Sequence, residues 1–343
     1  MKRGFTLITA CLLVLSSAAL DAQNAEDFEE LGILTLFEDY GYAYPVIYSP
    51  DGKNLIAAVA ESAIFILDAE SGRSVRIFSN EHSEDFIPVL ALSPDGRKLA
   101  AADNEGNIII RDTGNGQFLT TIPAGFEDSR VYSLSFSPNG RRLTGAGGSV
   151  KIWDAETGQE QRSAISHAGA VFSAYSPNGK YIVSGSAEDG SVKVWNAETG
   201  GELYTLSTDF FIEDIPCYTF SPDGSRFAAS YNGERHTVIW DMESGRMVRS
   251  LNTKDDQIFS LAFSPDGRRI ITAGESLKVW NAETGRNLWT FEVEEENIIY
   301  ASFSPDGKKI AASSEEGTVR LWAWDTAPKG SPWNIVVIRN PEG

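Results

Sequence analysis

The sequence predicts an all-β protein: a closed ring of seven four-stranded antiparallel blades, a β-propeller, behind a cleavable signal peptide. Three observations predict it. The tetrapeptide Ser-Pro-Asp/Asn-Gly recurs seven times, starting at Ser49, Ser93, Ser137, Ser176, Ser221, Ser264 and Ser304, at intervals of 39 to 45 residues. Short apolar-alternating runs flank every copy, as strands do. Four such runs fit each interval, which is the size of one propeller blade.

Residues 263–285, FSPDGRRIITAGESLKVWNAETG, show the unit in order. A large apolar residue ends the first strand (Tyr48, Leu92, Phe136, Tyr175, Phe220, Phe263 and Phe303 in the seven copies). Proline then fixes its own φ and offers no N–H, and glycine supplies positive φ, so the tetrapeptide makes a tight hairpin. A second strand follows, then a glycine-containing turn. The third strand ends in Trp280, and Asn281-Ala-Glu-Thr-Gly turns the chain into a fourth.

With these residues the chain resembles the WD-repeat propellers over residues 33–338, as an exported, bacterial-type member. The Trp-Asp pair stands intact at Trp153-Asp154 and Trp240-Asp241. It drifts to Trp195-Asn196, Trp280-Asn281, Leu67-Asp68, Arg111-Asp112 and Trp322-Ala323. The resemblance implies structural roles for Trp153, Trp195, Trp240, Trp280 and Trp322. It also implies a buried hydrogen-bond set that is complete in one blade only: His167, Ser184, Asp189 and Trp195. For function it implies an interaction platform, with no particular partner.

Residues 1–22 read as a signal peptide, with Lys2-Arg3 before an apolar run and small residues after it. The run is too short to span a bilayer, which takes about 20 residues. Ile8-Thr9-Ala10-Cys11 also resembles a lipoprotein box, but the apolar run continues past Cys11. Residues 23–32 read as an acidic lead-in and 33–343 as the propeller. Its closing strand is expected at 34–37, completing the last blade, with Leu36, 13 residues before Ser49, in the place that Phe291 takes 13 residues before Ser304, and with residues 333–338 as a fifth strand or flanking cover. The chain is expected to be exported, periplasmic or secreted, and monomeric.

Without the leader one cysteine remains, Cys217. It falls within a first strand and reads as a small buried residue rather than a nucleophile. The formal net charge is −19. Antiparallel strands put the inter-blade loops and the second hairpins on one face, the top, where 25 acids meet three bases: Arg130, Arg235 and Lys254. Acids and bases balance in the turns of the opposite face. Such a field repels nucleic acid and anionic lipid and steers basic partners. Aromatics stand among the acids, as at interaction surfaces, although half of them are expected to plug the space between blades. The expected partner-binding residues are therefore Tyr40, Tyr42, Glu84, Asp85, Phe86, Phe126, Asp128, Phe210, Phe211, Glu213, Asp214, Asp255, Asp256, Glu294, Glu295 and Glu296.

The chemistry-bearing patterns are sparse. Three histidines occur, without zinc-type spacing, and Thr144-Gly-Ala-Gly-Gly-Ser149 lacks the lysine and helix of a phosphate loop. No loop has the spaced acids of a calcium site. No cofactor, metal or catalytic residue is expected. The reading is a non-enzymatic platform for a basic protein or peptide. The alternative is a propeller enzyme, a hydrolase, lactonase or quinoprotein-like oxidoreductase, with its site at the channel mouth.

Overall fold

Each Ser-Pro-Asp/Asn-Gly tetrapeptide folds into the same turn. The serine hydroxyl donates to the side-chain oxygen two residues on, at 2.6 Å in Ser49–Asp51 and 2.8 Å in Ser137–Asn139. It also accepts the amide N–H five residues on, from Asn54 and Arg142, both at 2.9 Å. The Asp or Asn oxygen accepts a second amide, that of Lys53 or Arg141. The glycine N–H returns to the serine carbonyl at 2.8 Å, with φ near +70° in Gly52 and Gly140. Only an acceptor is required at the third position, so Asp and Asn interchange there.

The computed structural model describes residues 28–35, 43–59, 63–79, 89–103, 105–127, 130–161, 165, 167–206, 217–231, 236–253, 257–292, 297–314 and 318–324. They form seven four-stranded antiparallel sheets. Blades 1 to 6 are continuous in sequence, at 43–79, 90–123, 133–161, 170–206, 217–252 and 260–292. Blade 7 takes three strands from 298–324 and its outer strand from Phe28–Thr35.

The closing strand is therefore N-terminal, as the sequence predicts, but its register is two residues earlier. Leu34 faces Val319, the place that Phe291 takes opposite Leu277 in blade 6. A slip of two preserves which side chains share a face, so the alternating pattern does not resolve it. The strand also starts at Phe28 and takes in the last residues of the predicted lead-in. Residues 1–27 and 325–343, with the predicted leader and the strand at 333–338, lie outside the described residues.

The core lies between blades. Val46, Leu55 and Leu67 of blade 1 pack with Ala311, Val319 and Leu321 of blade 7. The structural tryptophans are all buried, Trp153 and Trp240 completely. At the third-to-fourth turn, Asp154 Oδ1 accepts from the amides of Glu156 and Thr157, and Asn281 Oδ1 from those of Glu283 and Thr284. This capping explains the drift from Asp to Asn. Ala323 needs no such group, because the strand beside it arrives from the N-terminus.

Candidate interaction site

The predicted hydrogen-bond set exists, with one member displaced. Trp195 Nε1 donates to Ser184 Oγ at 2.8 Å, and Ser184 Oγ lies 2.6 Å from His167 Nδ1. His167 Nε2 does not reach Asp189; it meets Ser191 Oγ at 2.9 Å. Asp189 takes the Ser191 amide at 2.9 Å and interacts with its hydroxyl. An indole N–H can only donate, so the arrangement that uses the Ser184 proton runs Trp195 to Ser184 to His167 to Ser191 to Asp189. That arrangement places the imidazole proton on Nε2. Burial, then Lys193, lowers the pKa of His167, while Asp189 and Glu202 oppose the shift.

Around the channel the first strands commit their hydroxyls to neighbouring blades. Ser133 Oγ accepts from the Ser173 amide at 2.8 Å, Ser135 Oγ from Tyr175 at 3.1 Å and Ser260 Oγ from Ala301 at 3.2 Å. Tyr218 stacks on Phe172 of the preceding blade, with ring centroids 4.1 Å apart. Burial raises the pKa of both Tyr218 and Tyr300. Cys217 is buried, as predicted, with Sγ 3.7 Å from the Ile258 carbonyl. Among the described residues no group of three or more His, Cys, Asp or Glu is poised to hold a metal ion. No helix there is long and apolar enough to cross a membrane.

Of the sixteen predicted contact residues, Phe126 is described, and it is not on the surface. It is 5% exposed and sets its ring edge-on to Trp153, centroids 5.9 Å apart. It plugs the space between blades 2 and 3, which removes it from the contact surface. The inter-blade loop residues Tyr40, Tyr42, Glu84, Asp85, Phe86, Asp128, Phe210, Phe211, Glu213, Asp214, Asp255, Asp256, Glu294, Glu295 and Glu296 lie outside the described residues. Among the described residues of that face, Glu105, Glu127, Glu188, Asp189 and Glu275 are exposed acids beside one exposed base, Arg130.

Comparison with known proteins matches the repeat. The WD40 family, described as "WD domain, G-beta repeat", matches residues 116–154, 158–196, 245–281 and 285–323. WD repeat and SOCS box-containing protein 1 of Mus musculus is 35% identical over 69 residues, 20% of this chain and 16% of that protein. Its counterpart in Homo sapiens is 34% identical over 62 residues, 18% of this chain and 15% of that protein. That of Takifugu rubripes is 36% identical over 62 residues, 18% and 14% of the two chains. The match thus spans about a sixth of the length of these curated relatives.

Proposed function

From the premise that this chain carries WD40 repeats in a seven-bladed propeller, a fold that typically mediates protein interactions, we propose a non-enzymatic, exported binding platform. Its top face, rich in acids and aromatics, takes a basic segment of a partner protein. The observation that supports this is the charge asymmetry. The described part of that face exposes five acids against Arg130, and the remaining inter-blade loops add more acids. Desolvated aromatics would supply contact area, and the field would raise the association rate. Export is the reading of the leader-like residues 1–22.

A lysine-rich peptide is the first probe, with association followed from low salt to about 1 M, where the Debye length falls from about 10 Å to about 3 Å. Association should slow as salt rises. In a chain with Glu294, Glu295 and Glu296 changed to Gln and Asp255 and Asp256 to Asn, it should be slower and less dependent on salt. Phe210→Ala with Phe211→Ala should instead hasten dissociation. Unaltered binding in both variants, or loss only on changing Arg268 and Arg269 of the opposite face, rejects the reading.

A further inference from the structure

Blade 2 departs from the repeat in four ways that converge on its outer edge. Arg111 takes the place that Trp153, Trp195, Trp240 and Trp280 hold in blades 3 to 6. Its third-to-fourth turn reads Thr113-Gly114-Asn115, where the other described turns carry Glu70, Glu156, Glu198, Glu243 and Glu283. Among the described outer strands, Phe118–Pro123 alone has no charged side chain. Phe118 is also the most exposed of the described large apolar residues, at 62%, with Leu119 beside it at 47%.

These departures form one surface. The Arg111 guanidinium lies over the Phe118 ring, 3.7 Å from its centroid, and 5.9 Å from that of buried Phe78 in blade 1. Arg76 of blade 1 fixes the adjoining turn, donating to the carbonyls of Gly114 at 2.6 Å and Asn115 at 3.2 Å. Sheet edges are normally guarded by charge against strand addition, and this edge carries none. Pro123 has no N–H and bounds the usable run to the residues before it. Leu119, at the bulge, has no partner in the third strand and stands outward. A cation beside an exposed apolar ring is the composition of a binding hot spot.

We propose that the outer edge of blade 2 is a docking strip for an extended segment of a partner protein. The segment is apolar at alternate positions, adds along Phe118–Ile122, and carries a carboxylate that meets Arg111. Its charge follows from complementarity: Arg111 lies behind the uncharged edge strand, against Phe118, and that strand holds no acid, so a segment with a carboxylate is favoured. A second copy of the chain is disfavoured, since each copy carries a net charge of −19. The strip lies on the rim, so it stands or falls separately from the top face.

Random short peptides displayed on phage are selected against the full chain, and an enriched peptide is synthesised and titrated. Enriched peptides should alternate apolar residues and carry Asp or Glu. Phe118→Thr with Leu119→Thr, which keeps strand propensity at exposed positions, should weaken binding about tenfold, as should Thr121→Glu, which puts a like charge on the edge. Arg111→Gln should abolish the preference for the acidic peptide over its amide twin. Matching thermal melts confirm that the variants fold. Failure to enrich any peptide, equal binding by the variants, or a preference for basic peptides overturns the proposal. So does a dimer in sedimentation that Leu119→Lys dissociates, which assigns the strip to a second copy.

Discussion

Ser302 donates its hydroxyl to the carbonyl of Val46 at 3.0 Å, joining residues 256 positions apart and two blades that meet only because the ring closes. The first consequence is thermodynamic. Ser302→Ala should cost about 1 kcal/mol, a fall of roughly 2–4 °C in Tm for a domain approaching this size. Ser135→Ala, which removes the bond that its hydroxyl accepts from the Tyr175 amide between adjacent blades 3 and 4, should cost a similar amount. Deleting residues 28–35 should do far more, because it uncovers the edge of Thr318–Trp324. A truncated chain that melts with the parent contradicts this closure.

The Ser184 hydroxyl serves two buried partners at once. Ser184→Ala strands both Trp195 Nε1 and His167 Nδ1, at about 1–3 kcal/mol for each buried group left unpaired. Ser184→Thr should be tolerated, since Thr272 accepts from Trp280 Nε1 at 2.9 Å in blade 6. Chemical denaturation of the two variants separates the cases.

The lowered pKa of His167 carries a pH dependence of definite sign. The folded state favours the neutral ring, so the unfolded chain binds more protons between the folded pKa and the ordinary value of 6.5. Stability is fully present above 6.5 and is lost as pH falls through the folded pKa. Melts across that window should slope less in His167→Gln than in the parent. Equal slopes would assign the dependence elsewhere.

Asp51, Asp95, Asp223, Asp266 and Asp306 have lowered pKa values; the serine hydroxyl of the turn is the leading cause in the first three, and in the last two burial is the largest effect and opposes the shift, but the serine hydroxyl, a backbone amide and the neighbouring arginines or lysines together outweigh it. Their stabilisation is present above the ordinary value of 3.8 and lost as pH falls below it. Asp95→Asn should leave the neutral-pH Tm almost unchanged, because Asn139 and Asn178 make the same turn. The variant should lose less stability than the parent between pH 4 and pH 2.

Gly185 is a place reserved for Phe172. A Cβ there would lie 2.0 Å from Phe172 Cε1, which no packing allows. Gly185→Ala should destabilise by about 2 kcal/mol or more, and Phe172→Leu in the same chain should recover part of the loss. In a double-mutant cycle, additive costs would show that the two residues do not compete.

The seven blades were legible because their determinant is local: each turn closes on its own serine and Asp or Asn, within six residues. Other features depend on partners far apart in sequence, and there the reading was partial. The closing strand was found, yet its register slipped by two, since alternation repeats with that period. The histidine set was located, but its bond to Ser191 in place of Asp189 depends on how the turn at Gly190 aims two neighbouring side chains. Gly185 did leave a signal, a glycine inside a strand pattern, which marks close approach by another group. Phe126 looked in sequence like the other aromatics among the acids, half of which were expected to plug between blades, and its packing against Trp153 of the next blade decides its burial. The edge at Phe118 was legible only by comparing each outer strand with its sisters. The remaining predicted contact residues fall in stretches of sequence that share no repeat, so the periodicity that locates the turns says nothing of them.

In the seam of blade 7, Phe28 lies opposite Trp324, so the chain enters and leaves the closing pair at the same end. Tension applied between the two termini would therefore load that pair as a zipper, one rung at a time, instead of stretching all its rungs together. The seam should yield first and at low force in a single-molecule pull, before blades 1 to 6 lose any strand. Attachment points moved to residues 35 and 318 would test this, since they reverse the end from which the zipper opens.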